Sequence, residues 1–147
     1  MAEVTVSDVV PIGREQAWAL MSDLSRLDEW LELHEAWRSD VPSEITAGTE
    51  LSSVVSFKSM RNRIAWTVEE FQPPDLISLA GDGKGGTKAS LRLVAADAGD
   101  NATKIELHSE FSNPALVGPL GRIAAKGLRG ELEKSIDRLV DLSARQA

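Results

Sequence analysis

The segment Glu32-Leu33-His34-Glu35 sets two carboxylates around an imidazole, the residue types from which a metal site or a general acid–base pair is built. Only one other histidine exists, His108, and there is no cysteine, which excludes thiol catalysis, thiolate zinc sites and a disulfide framework. The trio lacks the helical H-E-x-x-H frame that places two ligands one turn apart, so it is expected to face solvent. His108 alternates with inward positions of a strand pattern and belongs to the outward set, so a metal centre shared by both histidines is not expected. No G-x-S-x-G elbow and no Walker loop occurs. The run Gly-Asp-Gly-Lys-Gly-Gly at 81–86 joins two expected strands with no helix N-terminus behind it, and reads as a turn rather than a phosphate cradle. Catalytic residues are left unassigned, and neither a metal nor a cofactor is expected.

The residues suited to recognition are more telling. Four tryptophans stand in a chain with no tyrosine and three phenylalanines, and two of them, Trp30 and Trp37, fall in one short connecting stretch. Trp66 sits in mid-strand on an apolar face, whereas Trp18 on the first helix is expected to pack plainly. Ser53, Ser59 and Ser109 interrupt faces otherwise made of Val, Leu and Phe. A hydroxyl there either orients a ligand's polar group or bonds a backbone carbonyl or a buried water.

Positioning these groups requires a sheet and something to cover it. Residues 3–10 form a first strand that Pro11 and Gly13 end, and Ala17, Trp18, Leu20, Met21 and Leu24 recur at helical spacing from Arg14 to Leu24. Ser25 is a candidate cap for a second short helix, with Asp28 as its capping-box partner, and the chain from there to about Gly48 reads as loop. Four or five strands follow. The alternation is cleanest in the last two, where Ala89, Leu91, Leu93 and Ala95 oppose Lys88, Ser90 and Arg92, and Ile105, Leu107, Ser109 and Phe111 oppose Lys104, Glu106, His108 and Glu110. That is the pattern of an antiparallel sheet with one dry face. From about Ala115 to Arg145, Leu116, Leu120, Ile123, Leu128, Leu132, Ile136, Leu139 and Leu142 trace a long amphipathic helix, the one element large enough to cover that face. Gly118, Gly121, Gly127 and Gly130 fall within it. They point either to room beneath the helix or a movable end, or to a kink at Pro119 and close packing on the sheet. The fold class is therefore α+β, one domain over 1–147.

Composition narrows the functions. The chain's 147 residues suffice for one domain that buries about 70% of its unfolded surface without staples. A formal net charge of −7 opposes binding to nucleic acid, and clusters such as Lys58, Arg61 and Arg63 read as a solvated strand end. No basic leader and no span-length apolar run occurs, so a soluble cytoplasmic protein with no membrane span is expected.

This order of elements, with a terminal helix gripped by a curved sheet, resembles the START/Bet v 1-like (SRPBCC, polyketide cyclase-like) superfamily along essentially the whole chain. The stretches SDLSRLDEWLELHEAWRSD, RIAWTVEEFQPP, LAGDGKGGTK and NPALVGPLGRIAA are similar to an actinobacterial subgroup described as toxin components of type II toxin–antitoxin systems. The resemblance implies a helix-grip fold and a hydrophobic cavity between sheet and helix. It makes Trp30, Trp37, Val55, Phe57, Trp66, Leu79, Leu91, Leu93, Leu107, Ser109, Phe111, Leu120, Ile123 and Leu128 the candidate ligand-binding residues. For Trp30 and Trp37 two accounts stay open: each ring faces a ligand at a mouth of the cavity, or each plugs an end of the core. An empty apolar cavity of about 300 Å³ would cost about 7 kcal/mol, comparable with the whole stability of a small domain, so the chamber is expected to be small, wet or filled. The implied function is binding of a small hydrophobic molecule such as a lipid, isoprenoid or polyketide. The alternatives are a toxin acting on a protein partner and a cyclase or aromatase, for which no unambiguous acid–base pair is present.

Overall fold

Strand alternation decides the sheet. In β1 (Ala2–Val10) the buried Val4 and Val6 alternate with the exposed Glu3, Thr5 and Ser7, and in β7 (Thr103–Ser112) Ile105 and Leu107 alternate with Lys104 and Glu106. The computed structural model describes residues 2–57 and 60–146; Lys58 and Ser59, read above as a basic strand end and an inner-face serine, lie outside the described residues. With β2 (His34–Trp37), β3 (Glu50–Phe57), β4 (Met60–Gln72), β5 (Leu76–Asp82) and β6 (Lys88–Asp97) the strands make one 7-stranded sheet in the order β1-β7-β6-β5-β4-β3-β2. Every pairing is antiparallel. The sheet curls into a half-barrel around the C-terminal helix, the helix-grip arrangement.

Two expectations about the first third are corrected. α1 spans Arg14–Met21, and the next element is a 3-10 turn, Leu24–Glu29, capped by Asp23 and not by Ser25. The Asp23 carboxylate accepts from the Ser25 amide at 3.2 Å, which places Ser25 inside the turn and leaves no capping box with Asp28. The stretch read as loop contains β2, a four-residue edge strand on β3.

The covering helix, α2 (Pro119–Gln146), starts four residues later than the apolar spacing suggests. Asn113 accepts from the Ala115 amide at 2.9 Å in a turn, Gly118 takes a left-handed φ of +58°, and Pro119 occupies the first helical position, where its missing N–H costs nothing. Pro119 thus begins the helix instead of kinking it. Ala124, Leu128, Leu132, Ile136 and Leu139 form the buried stripe and join the core with Val4, Val6, Ile105 and Leu107. The buried hydroxyls of Ser135 and Ser143 donate to the carbonyls four residues back, Glu131 and Leu139, so they add no unsatisfied group to that stripe. A Cβ on Gly130 would meet nothing within 4 Å, and one on Gly121 would meet the Leu116 carbonyl of the preceding turn, so neither glycine is there for close packing on the sheet. Among the described residues no helix is long and apolar enough to cross a membrane.

Candidate functional site

A backbone irregularity sets up the site. In the β2–β3 pairing His34 lies opposite Val55 and Trp37 opposite Ser53, with a register shift between His34 and Ala36. Side chains normally alternate, so residues three apart would point to opposite faces; one extra residue in β2 lets both His34 and Trp37 turn inward. Glu35 turns outward instead and pairs with Arg61 at 2.6 Å. The two inward rings pack at 4.7 Å between centroids, tilted by 53°. The Trp37 indole donates to the Leu24 carbonyl at 2.7 Å, tying β2 to the 3-10 turn.

Across the chamber, the Trp66 indole donates to Ser53 Oγ at 2.8 Å. Gly81 lies opposite Trp66 on β5, and a Cβ there would sit 2.8 Å from the indole and closer still to Ile64, so only glycine lets the ring lie against this backbone. Ser109 donates to the Ser90 carbonyl at 2.8 Å, which answers its place on the dry face with a backbone partner. These groups enclose a cavity of about 50 Å³. By the coefficient used above, a void of that size costs about 1 kcal/mol, so the chamber is largely filled by its own side chains.

Trp37, Val55, Phe57, Trp66, Leu79, Leu91, Ser109, Phe111 and Leu128 line this cavity. Trp30, Leu93 and Leu107 do not; all three are fully buried in the packed core. Leu93 and Leu107 share a face with Leu91 and Ser109 but pair with each other one step farther along the strands. Trp30 is fully buried with its indole N–H unpartnered among the described residues; two residues on, the Glu32 amide donates to Ser135 Oγ at 2.9 Å and the Glu32 carboxylate meets Arg138 at 3.2 Å. Of the two indoles that posed the question, Trp30 is a plug and Trp37 is a wall. Leu120 and Ile123 line a different, open space of about 380 Å³ beneath the start of α2, together with Leu116, Thr87 and Lys84. Phe57, Asn62 and Phe111 belong to both linings, and the two phenyl rings meet edge-on at 6.0 Å. An aromatic pair therefore stands between the inner cavity and an apolar vestibule.

Sequence reasoning missed several lining residues: Leu27, Leu31, Leu33, His34, Asn62, Ile64, Ala89, Ser90 and Glu110. Ile64 and Ala89 carried a signal, since both belong to the apolar sets of their strands. His34 carried none, because the strand and the register shift that turn it inward were read as loop. It is 7% exposed, and its Nε2 is buried without a hydrogen-bond partner. Burial pushes its pKa below the ordinary histidine value, with the charge of Asp28 pulling weakly the other way, so the imidazole is neutral at pH 7.

His108 lies on the opposite face of the sheet, its Nδ1 2.6 Å from Thr5 Oγ1 and its Nε2 3.7 Å and 3.8 Å from Glu3 and Glu110. Glu3 and Glu110 are direct cross-strand partners, an unfavourable like-charge pair with the imidazole between them. Ligand atoms of the three lie within 4.8 Å of one another, so this is a group able to hold a cation, at a half-exposed surface. It has no connection with His34.

The geometry has close counterparts. Residues 1–144 match the family described as polyketide cyclase/dehydrase and lipid transport. A Mycobacterium tuberculosis H37Rv protein named "Uncharacterized protein Rv1546" is 40% identical over 143 residues, covering 97% of this chain and 99% of that one. Another from the same strain, named "Toxin Rv0910", is 39% identical over 144 residues, covering 98% and 99%. A START superfamily protein from Mycobacterium smegmatis superimposes with a TM-score of 0.76 at 16% identity, covering 100% of each chain, a likeness of fold.

Proposed function

The chain belongs to the polyketide cyclase/dehydrase and lipid transport family, and from that premise we propose that it binds a small, largely apolar molecule between the curled sheet and α2. The observation that carries this reading is the continuity of apolar lining from the inner cavity, through Phe57 and Phe111, to the vestibule edged by the exposed Leu120 and Ile123. Large side chains left exposed around a concavity are unusual on a monomer's surface and mark a place where something apolar docks. The inner space of about 50 Å³ is well below the roughly 150 Å³ that accepts benzene in an engineered cavity. A guest therefore occupies the vestibule and parts the phenylalanine pair to reach Trp37 and Trp66. Titration with N-phenylnaphthylamine, a neutral dye that brightens in apolar surroundings, is expected to give a saturable rise that long-chain alcohols reverse. A flat titration, together with an organic extract of the purified protein that is blank by mass spectrometry, overturns the reading.

The relative named a toxin supports a second reading, in which the chain arrests growth by acting on a protein partner. Strong induced expression in an actinobacterial host lacking any neighbouring repressor-like gene tests it, and unaffected growth counts against it.

A further inference from the structure

Besides the half-buried Asn62 and Ser90, the cavity wall contains two buried polar groups whose hydrogen-bonding capacity is not used up among the described residues. His34 is 93% buried by its 7% exposure, and its Nε2 has no partner among the described residues. Ser53 is wholly buried; its oxygen accepts from the Trp66 indole, and among the described hydrogen bonds its own hydroxyl hydrogen has no acceptor. The two sit on neighbouring strands and one face: Ser53 is opposite Trp37, and His34 is opposite Val55, two residues along from Ser53. In an otherwise apolar wall such groups demand a counterpart, because a buried donor or acceptor without one is costly.

We infer that His34 and Ser53 form a polar subsite that selects a neutral hydroxyl or carbonyl group at the leading end of the apolar guest, and rejects carboxylates. This rests on the binding function proposed above and names its ligand class. A hydroxyl oxygen accepts from one of the pair while its hydrogen serves the other; a carbonyl oxygen accepts from both, with the imidazole in its Nε2–H tautomer. A carboxylate has no such welcome. Among the described residues the lining of the inner cavity contains no lysine or arginine, and its one acid, Glu110, directs its carboxylate to within 3.8 Å of His108 on the far side of the sheet. A buried anion would need a cation there, and His34 is neutral because burial disfavours its charged form. A fatty acid is thus the wrong guest, and a long-chain alcohol, a phenol or a ketone-bearing polyketide is the right one.

The test uses three two-ring competitors of nearly equal size, naphthalene, naphthol and naphthoate, against bound N-phenylnaphthylamine on the full chain. Naphthol is expected to displace the dye at about one tenth the concentration naphthalene needs, with naphthoate weaker than naphthol. In His34→Phe the advantage of naphthol disappears while naphthalene still competes; His34→Gln, which keeps a donor and an acceptor, recovers part of it. Should His34→Phe fail to fold, the wild-type series and the imidazole nitrogen shifts of His34 decide, since naphthol is expected to move them and naphthalene is not. Equal competition by naphthalene and naphthol means the histidine is met by water alone and overturns this inference. So does naphthoate as the strongest competitor. In both cases the dye still binds and the parent function stands; absence of any dye binding, together with a blank organic extract, removes both.

Discussion

The two ends of α2 carry apolar residues with two outcomes. From Leu128 onward Leu132 and Leu139 are fully buried and Leu128 and Ile136 nearly so. In the first turn and a half Leu120 and Ile123 are 56% and 59% exposed; Ile123 stands five residues before Leu128 and beside the buried Ala124, which takes it off the line of the sealed stripe. What lies beneath differs as well. The part from Leu128 on rests on β1 and the closed core, whereas the start overhangs a vestibule floored by Phe57 and Phe111. Equal hydrophobicity along a helix therefore says nothing about equal burial; the angle at which a residue leaves the helix and the space beneath it decide what seals and what stays open.

The largest effect expected of this contrast is on stability at the sealed end. Leu132→Ala should cost about 3 kcal/mol in urea unfolding, with dye affinity of the folded protein unchanged. An intermediate effect belongs to His34, at the chamber's inner wall. Its pKa is lowered on folding, so the unfolded chain binds the extra proton first, and the stability associated with neutral burial is present above about pH 6.5 and lost as pH falls through the folded value. Unfolding curves collected from pH 7 downward should show that loss, and His34→Phe should flatten it. The smallest stability effect is expected at the open end, where Leu120→Ser and Ile123→Ser should stay within about 0.5 kcal/mol of wild type yet weaken dye binding. Losses there as large as at Leu132 would break the contrast, since they would mean the vestibule is closed in solution.

Legibility from the sequence followed the same divide. β6 and β7 could be read position by position, because the alternation holds from Leu91 to Ala95 and from Thr103 to Ser109. The buried stripe of α2 was equally plain. The site was less so. Trp30 and Trp37 are indistinguishable as residues in a connecting stretch, and only the three-dimensional packing, with Trp30 fully buried in the core and Trp37 on the cavity lining and bonded to Leu24, tells plug from wall. His34-Glu35-Ala36-Trp37 is short, contains one strong strand former and breaks period two, so it offered no strand signal. Ser53 was noticed as a hydroxyl on a dry face, but its indole partner depends on the β3–β4 register, in which Leu51 lies opposite Trp66 and Ser53 one step along, opposite Ile64.

The register shift at Glu35 has a consequence for how such a chamber changes over time. Deleting that one residue would restore a regular ladder with both rings still on the inner face, whereas inserting one residue between Ala36 and Trp37 would swing the indole from the interior to solvent while leaving the rest of the composition untouched. The interior's chemistry is thus tunable by a change in chain length at an edge strand, a route open to insertions and deletions that core substitutions, each constrained by packing, do not have.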